Sequence, residues 1–124
     1  MKFHLQQLDN KNLVTGYDLN WVEINHIRYT KNIIVMPDYL FQDWSLTQFD
    51  QFNENSFNEL SHLDIEIFIL GTGNKQKYPN NSILTNLVKK NIFIEYMTNQ
   101  SACRTYNIIA NEDRKVLLAI IFDT

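Results

Sequence analysis

The chain changes abruptly from an apolar run to a glycine-containing polar loop within residues 65–79, and this boundary constrains the fold most strongly. Residues 65–70, Ile-Glu-Ile-Phe-Ile-Leu, are apolar and mostly β-branched except for Glu66. This is the pattern of a strand that is covered on both faces of a sheet. Gly71 and Gly73, two of the three glycines in the chain, follow at once and allow a left-handed backbone and close backbone approach. The pattern predicts a polar loop at the carboxyl end of a central strand, where open α/β sheets carry binding sites.

The residues after this loop predict a strand–helix–strand unit. Pro79 suits the first turn of a helix over residues 80–90, and Asn91 suits the left-handed position that ends a helix. Residues 92–97, Ile-Phe-Ile-Glu-Tyr-Met, then predict a strand. The strands at 65–70 and 92–97 should therefore be parallel and joined by a right-handed crossover.

The last part of the chain predicts one more helix and one more strand. Thr98 is a suitable N-cap for the helix. The helical spacing that follows it is carried by Ala102, Thr105, Tyr106, Ile109 and Ala110. A tight turn at residues 111–114 leads to the apolar residues 115–122, which predict a strand that completes the sheet.

The N-terminal half predicts β structure followed by a helix. Asn25-His26 is a two-residue hairpin connection. Pro37-Asp38 should end the strand at residues 33–36. Trp44 is interpreted as a packing anchor between the strands and a helix over residues 53–62, and the alternative is a partner-binding aromatic residue. The expected strands are at residues 13–17, 21–24, 27–30 and 33–36.

Length and composition bound the class of protein. A chain of 124 residues with 44% hydrophobic content is long enough to form one globular domain, residues 1–124, with its own core. The longest apolar run, residues 116–122, is too short to span a bilayer. Residues 1–7 lack the features of a signal peptide, so we expect a cytoplasmic protein. The single Cys103 excludes an internal disulfide, and no Cys/His cluster has zinc spacing, so we expect neither a metal nor another cofactor.

Charge is distributed unevenly along the chain. Residues 32–74 contain seven acidic residues and no Lys or Arg, whereas residues 75–115 contain seven basic and three acidic residues. One interpretation is ordinary solvated surface. The other is a mildly basic rim around the loop at 71–79, suited to an anionic ligand or an acidic partner. Because the net charge is −3 and no continuous basic stripe is present, we expect no nucleic-acid partner.

The candidate ligand or partner site combines this loop with the helix after Thr98. Cys103 has three interpretations: a structural residue, a wall of a ligand pocket, or a nucleophile whose pKa is lowered by a neighbouring cation. Arg104 has two interpretations: an ion pair with Glu66 or Glu95, or bidentate binding of an anion near the loop. The complete set of candidate residues is Gly71, Thr72, Gly73, Gln76, Lys77, Cys103, Arg104, Thr105 and Asn107.

Three short motifs carry a family resemblance: Gly71-Thr-Gly73, Gln76-Lys-Tyr-Pro79 and Ser101-Ala-Cys-Arg-Thr-Tyr-Asn-Ile-Ile109. With them the chain resembles, from Trp21 to Phe122, the family of mitochondrial complex I assembly factor 3 and its bacterial and archaeal relatives of unassigned function. The resemblance implies an α/β fold in three layers, with a central mixed β-sheet, helices packed on it and an additional N-terminal β layer. The chain departs from the family at three positions. It has Tyr78 where the family usually has Phe, and it has Asn91 and Asp113 where the family usually has Gly.

The function implied by the resemblance is that of a non-catalytic interaction or assembly factor for protein complexes, in membrane-protein or respiratory complex biogenesis. The sequence agrees with it, since it shows no paired carboxylates, no nucleophile with a base and no lysine-bearing phosphate loop. A protein partner is therefore expected, together with peripheral association with membrane complexes. The alternative is a small anionic-ligand binder or enzyme that uses a pocket between the Gly71–Gly73 loop and the Cys103–Asn107 helix. An open pocket would favour this alternative, and a corner filled by side chains would favour the assembly factor.

Overall fold

A computed structural model describes residues 11–42, 44, 63–78 and 89–122. Within these ranges the chain forms two β-sheets and one helix, a mixed α/β arrangement. The elements in chain order are β1 Val14–Asp18, β2 Trp21–Ile24, β3 Ile27–Tyr29, β4 Ile33–Met36, β5 Tyr39–Phe41, β6 Ile67–Gly71, β7 Phe93–Met97, α1 Asn99–Asn111 and β8 Val116–Ile120.

The smaller sheet is a three-stranded antiparallel meander in the order β1-β2-β3. Asn25 and His26 connect β2 to β3 with φ angles of 50° and 70°. Two left-handed residues match the twist of the flanking strands, which confirms the predicted hairpin. Val22 and Ile24 on β2 are buried and belong to a core cluster that also contains residues of α1 and of the second sheet.

The larger sheet has five strands in the order β5-β4-β8-β6-β7. β6 is parallel to both β7 and β8, whereas β8 is antiparallel to β4, so the sheet is mixed. The predicted strand after the short turn at 111–114 is therefore the middle strand, β8. β6 begins at Ile67 rather than at residue 65 and extends to Gly71.

One strand and one turn differ from the sequence-based interpretation. β5 is not predicted, because Pro37-Asp38 suggests only an end to β4. In the structure these two residues connect β4 to β5, and Met36 is paired with Tyr39. Pro37 lies in the turn, where its missing N–H costs no ladder hydrogen bond.

The predicted parallel pairing of β6 and β7 is confirmed, with Ile67 opposite Phe93 and Gly71 opposite Met97. Asn91 and Asp113 both have left-handed backbones, with φ angles of 59° and 60°. These are two of the positions where the resembled family usually has glycine, the residue that adopts this region at least cost. The helix predicted over 53–62 and most of that over 80–90 fall outside the described residues, so the three-layer arrangement stays a prediction.

The three central strands of the five-stranded sheet, β4, β8 and β6, are buried on both faces. One face packs against α1 through Ala102, Cys103 and Tyr106 and is continuous with the core of the small sheet. The other face includes Trp44, which is only 6% exposed and packs with Ile34 and other strand residues. Trp44 therefore packs on the strands, and the helix predicted at 53–62 as its other partner lies outside the described residues. None of the described residues forms a helix long and apolar enough to cross a membrane.

Helix α1 attaches the small sheet to the large one. Its N-cap is Thr98, whose side-chain oxygen accepts a hydrogen bond from the Ser101 N–H at 3.4 Å, as predicted. Asn107 Oδ1 accepts a hydrogen bond from the Val14 N–H at 2.9 Å, and Asn107 Nδ2 donates to the Val14 carbonyl at 2.8 Å. The Tyr106 hydroxyl donates to the Asn12 carbonyl at 2.8 Å. Asn107 thus satisfies both backbone groups of Val14, as a neighbouring strand would.

This attachment predicts that Asn107→Ala destabilises the fold. Both Val14 groups would lose their partner in a half-buried place, so we expect the free energy of unfolding to fall by about 2 kcal/mol. The matched control is Ile108→Ala on the same helix, because Ile108 is 62% exposed and its truncation should cost at most about 0.5 kcal/mol. Urea unfolding of both variants measures the difference, and equal losses would contradict the role given to Asn107.

Candidate functional site

The corner after β6 is closed by side chains rather than open to solvent. Gly71, Thr72 and Gly73 are all buried, and the Gly71 carbonyl accepts a hydrogen bond from the Ile121 N–H at 3.1 Å. A Cβ atom on Gly71 would collide with Asn99 Oδ1 and would lie 2.9 Å from Ile120 Cδ1. Gly71 is therefore required for close packing against α1 and β8, not for approach to a ligand.

Asn99, the first residue of α1, fills the corner and was not identified from the sequence. Its Oδ1 accepts from the Gly73 N–H, and its Nδ2 donates to the Ile121 carbonyl, both at 3.0 Å. Its own N–H donates to the Gly73 carbonyl at 2.9 Å. Polar residues at the start of a helix are usually exposed, so the sequence around Asn99 does not indicate that it is buried. The only indication is the pair of glycines that face it, Gly71 and Gly73.

The polar groups of the loop are largely satisfied within the protein. The Thr72 hydroxyl donates to the Lys75 carbonyl at 2.7 Å and accepts from the Lys77 N–H at 3.1 Å. The Thr72 N–H donates to the Met97 carbonyl at 3.0 Å. Gly73 adopts a φ of 98°, and its N–H is bound to Asn99. The loop therefore does not present these N–H groups to a ligand in the way that a phosphate-binding loop does.

Gln76 and Tyr78 turn toward β7 instead of into the corner. Gln76 Nε2 donates to the Tyr96 carbonyl at 3.1 Å. The rings of Tyr78 and Tyr96 meet edge to face, with their centroids 5.4 Å apart. Gln76 and the partly buried Lys77 thus belong to a surface along β7, separate from the buried residues of the corner.

Arg104 has neither of the partners predicted for it. Its guanidinium donates to the Tyr17 hydroxyl at 3.0 Å and approaches Ser101 Oγ at 3.5 Å. Glu66 instead lies 3.8 Å from Arg114. The cause is the orientation of α1: because Cys103 faces the large sheet, Arg104 lies about 100° further round the helix, beside β1 and away from the loop.

Cys103 is in an environment that suppresses thiol chemistry. The side chain is 1% exposed, and burial raises its pKa to about 12, although the charge of Arg104 opposes this change. The thiolate is the nucleophilic form of cysteine, and it is scarcely populated at neutral pH here. This environment favours the structural interpretation of Cys103 over the nucleophile.

The structure therefore divides the candidate residues into three groups. Gly71, Thr72 and Gly73 are buried at the corner, where Asn99 packs against Gly71 and binds Gly73, whereas Cys103 is buried in the core between α1 and the sheets. The Asn107 side chain is hydrogen-bonded to the backbone of Val14 on β1. The exposed or half-exposed members are Gln76 and Lys77 in the loop beside β7, Arg104 beside β1, and Thr105 on α1. Among the described residues, no three His, Cys, Asp or Glu side chains are arranged to hold a metal ion.

A cavity lies at the opposite end of the five-stranded sheet from the Gly71–Gly73 loop, and the sequence did not indicate it. Its volume is about 680 Å³. Two ion pairs line this cavity. Lys115 Nζ is 2.6 Å from Asp64 Oδ2, and Lys11 Nζ is 2.8 Å from Asp113 Oδ1. Lys11 also donates to the Ala110 carbonyl at 3.0 Å, at the end of α1. These residues are far apart in sequence, and no motif marks them.

Asn99 supplies the most direct stability prediction for the corner. Asn99→Ala would leave the Gly73 N–H and the Ile121 carbonyl buried without their partner, at a cost of about 2–4 kcal/mol. The matched control is Gln100→Ala, which truncates the next, exposed residue of the same helix and should cost at most about 0.5 kcal/mol. Denaturant unfolding measures both. Similar midpoints for the two variants would show that the Asn99 hydrogen bonds do not hold the corner.

Cys103 supplies a chemical prediction. With iodoacetamide at pH 8 the native thiol should react at least about a hundredfold more slowly than the same chain unfolded in urea, because burial disfavours the thiolate. Fast modification of the native protein would overturn the structural interpretation.

The raised pKa of Cys103 also predicts a contribution to the loss of stability at alkaline pH. Burial raises this pKa from the ordinary cysteine value of 9.0, taken for the unfolded chain, to about 12 in the fold. Ionisation of this thiol therefore leaves stability intact below pH 9 and reduces it as the pH rises above 9. This part of the alkaline loss should be absent from Cys103→Ala in unfolding measurements across that range.

Most of this chain matches a known protein family. Residues 14–121 match the family described as “Protein of unknown function (DUF498/DUF598)”. The NMR structure of a protein from Xanthomonas campestris has 30% sequence identity and a TM-score of 0.84, and the match covers 98% of this chain and 92% of that one. The fold described above is therefore shared with that protein.

Two curated relatives are longer than the region they share with this chain. A protein of Rattus norvegicus named NADH dehydrogenase (ubiquinone) 1 alpha subcomplex assembly factor 3 is 27% identical over 110 residues, which are 87% of this chain and 59% of the relative. A “13 kDa major membrane protein” of Francisella tularensis is 39% identical over 67 residues, 49% of this chain and 54% of the relative. The chain thus spans little more than half the length of these relatives. From the match across residues 14–121, the chain belongs to the DUF498/DUF598 family of proteins of unknown function, and its curated relatives include complex I assembly factors.

Proposed function

We propose that this chain is a non-catalytic interaction or assembly factor for protein complexes. The observation that carries the proposal is its similarity, over 87% of its length, to an assembly factor named for NADH dehydrogenase. The chain spans 59% of that relative, so similarity alone does not transfer the relative's role. The geometry of the candidate site supplies the second support.

The closed corner supports a scaffold rather than a ligand site. The Asn99 carboxamide occupies the space beside Gly71 and uses the Gly73 N–H. The Thr72 hydroxyl is engaged by the backbone of its own loop. A small-molecule site needs a concave space with polar groups that converge on the ligand, and here those groups converge on each other.

The state of Cys103 supports the absence of catalysis at this corner. A nucleophilic cysteine needs a lowered pKa and access to substrate, whereas Cys103 is buried and its pKa is raised. Arg104, the adjacent cation, is directed to Tyr17. In the proposal Cys103 is a packing residue, and Gln76, Lys77, Arg104 and Thr105 contribute to partner-facing surface.

The targets of the proposed factor are membrane-protein or respiratory complexes. The names of the two relatives, an NADH dehydrogenase assembly factor and a major membrane protein, motivate this choice. The chain would act from the cytoplasmic side through peripheral contact with a complex. The proposal includes the three-layer fold, with the predicted helices at 53–62 and 80–90 packed on the sheet.

Anionic-ligand binding or catalysis at the corner between the Gly71–Gly73 loop and α1 is the alternative proposal. The local surplus of basic residues in 75–115 motivates it. It would require the Asn99 carboxamide to leave the Gly73 N–H before a ligand could enter. The assembly proposal requires no such rearrangement.

Deletion of the chain from its own cells tests the proposal. Native gels of the membranes should show fewer mature respiratory or other membrane complexes, together with accumulated subcomplexes, because an assembly factor acts before the complex is complete. Re-expression of the wild-type chain should restore the mature complexes. Cys103→Ala should restore them equally, because the proposal assigns the thiol no chemistry.

Two results would contradict this proposal. One is a normal set of membrane complexes in the deleted strain, combined with turnover of a metabolite by the purified chain. The other is failure of Cys103→Ala to restore assembly although the variant folds and accumulates like the wild type, which would assign the thiol a chemical role.

A further inference from the structure

We propose that the outer edge of β7 binds an extended, acidic segment of a protein partner as an additional strand of the large sheet. The inference rests on the proposed function and names the surface and partner chemistry through which it would operate. Addition of a strand to a sheet edge is a common mode of peptide recognition, in which backbone hydrogen bonds supply affinity and side chains supply specificity.

The register of β7 shows which of its backbone groups face outward. β7 is the terminal strand in the order formed by the described strands. The Phe93 N–H donates to the Glu66 carbonyl at 2.9 Å, and the Met97 carbonyl accepts the Thr72 N–H at 3.0 Å. In a parallel ladder these groups alternate along the strand, so the backbone groups of Ile94 and Tyr96 point away from β6.

The loop at residues 74–78 occupies part of this edge. Gln76 Nε2 reaches the outward Tyr96 carbonyl at 3.1 Å, and the Tyr78 ring packs against the Tyr96 ring. Such cover is a usual protection of an exposed sheet edge. Within the described part of the chain, no hydrogen bond reaches the outward groups of Ile94, so the first half of β7 presents a donor and an acceptor at adjacent positions.

Charges around this edge favour an acidic partner. Lys75 and Lys77 flank Gln76 at the carboxyl end of β7, and the exposed Lys89 and Lys90 precede its amino end. Glu95 is the single acidic residue in 74–78 and 89–97. Lys75 at one end and Lys89 and Lys90 at the other end of a strand of five residues would attract a segment with acidic residues near both of its ends.

An apolar anchor lies beside this edge. Phe93 is 61% exposed although it belongs to a strand. A large aromatic side chain at a half-open position is a frequent anchor of protein interfaces. A partner strand that alternates acidic and apolar residues would therefore pair its carboxylates with the lysines and one apolar side chain with Phe93.

A second copy of this chain is a less suitable occupant. Antiparallel pairing of two β7 edges would bring Lys89 and Lys90 of each copy toward Lys75 of the other. Like charges placed opposite each other across a strand pair are destabilising. The same lysines that would repel a second copy would attract an acidic segment, and this decides between the two occupants.

Selection from a display library of random seven-residue peptides, with the whole 124-residue chain as target, tests the inference. Enriched peptides should contain two or more Asp or Glu together with β-branched or aromatic residues. When the best peptide is added, amide NMR should show the Ile94 and Tyr96 signals shifting and their hydrogen exchange slowing. Slow exchange of these two amides distinguishes strand addition from a loose charge contact.

Charge reversal supplies the matched comparison. Lys89→Glu combined with Lys90→Glu should weaken binding of the selected peptide about tenfold at low salt, because two attractive contacts become repulsive. Lys31→Glu is the control, since Lys31 is an exposed lysine next to β4 on the other side of the sheet, and it should change the affinity less than about twofold. Amide spectra confirm that both variants keep the fold.

Three outcomes would overturn the inference: no peptide is enriched, the enriched peptides lack acidic residues, or they perturb amides elsewhere on the chain. Dimerisation of the chain through β7 would overturn the choice of occupant. None of these results bears on the loss of membrane complexes in the deleted strain, so the proposed function and this surface can fail separately.

Discussion

The Asn99 carboxamide is the interaction on which the corner of this protein depends. It joins the loop after β6, the start of α1 and the residue after β8 through hydrogen bonds of 3.0 Å to Gly73 and Ile121. A buried amide is stabilising only when its donor and acceptor are both used, and here both are used by backbone groups. Gly71 must be glycine because this amide occupies the place of its side chain.

This corner fixes where α1 lies, and the position of α1 determines the surroundings of its other residues. With Ala102, Cys103 and Tyr106 against the large sheet, Asn107 meets Val14 and Arg104 meets Tyr17. The helix therefore uses its distinctive polar residues to hold two sheets together. In this position the Asn107 carboxamide is bound to Val14, the Arg104 guanidinium contacts Tyr17, and the Cys103 thiol is buried.

Local chemistry made several features predictable, and tertiary placement made others unpredictable. The hairpin at Asn25-His26, the Thr98 cap and the left-handed Asn91 follow from residues that are adjacent in sequence, and each is confirmed. The partners of Arg104 and the burial of Asn99 depend on how α1 is rotated about its axis. The spacing of apolar residues along the helix does not define this rotation closely enough to predict either feature. Gln76 was assigned to the correct loop, but its target, the outward Tyr96 carbonyl, depends on which edge of the sheet stays open.

Hydrogen exchange at the Gly73 amide tests most directly whether the corner is a permanent joint. This N–H is buried and bound to Asn99 Oδ1 at 3.0 Å. If the joint opens only when the whole protein unfolds, the opening free energy measured at Gly73 should equal that of the slowest amides in β6 and β8. Exchange of the Gly73 amide at the rate expected for an amide in an unfolded chain would show that the corner opens readily in the native protein, and would contradict this account.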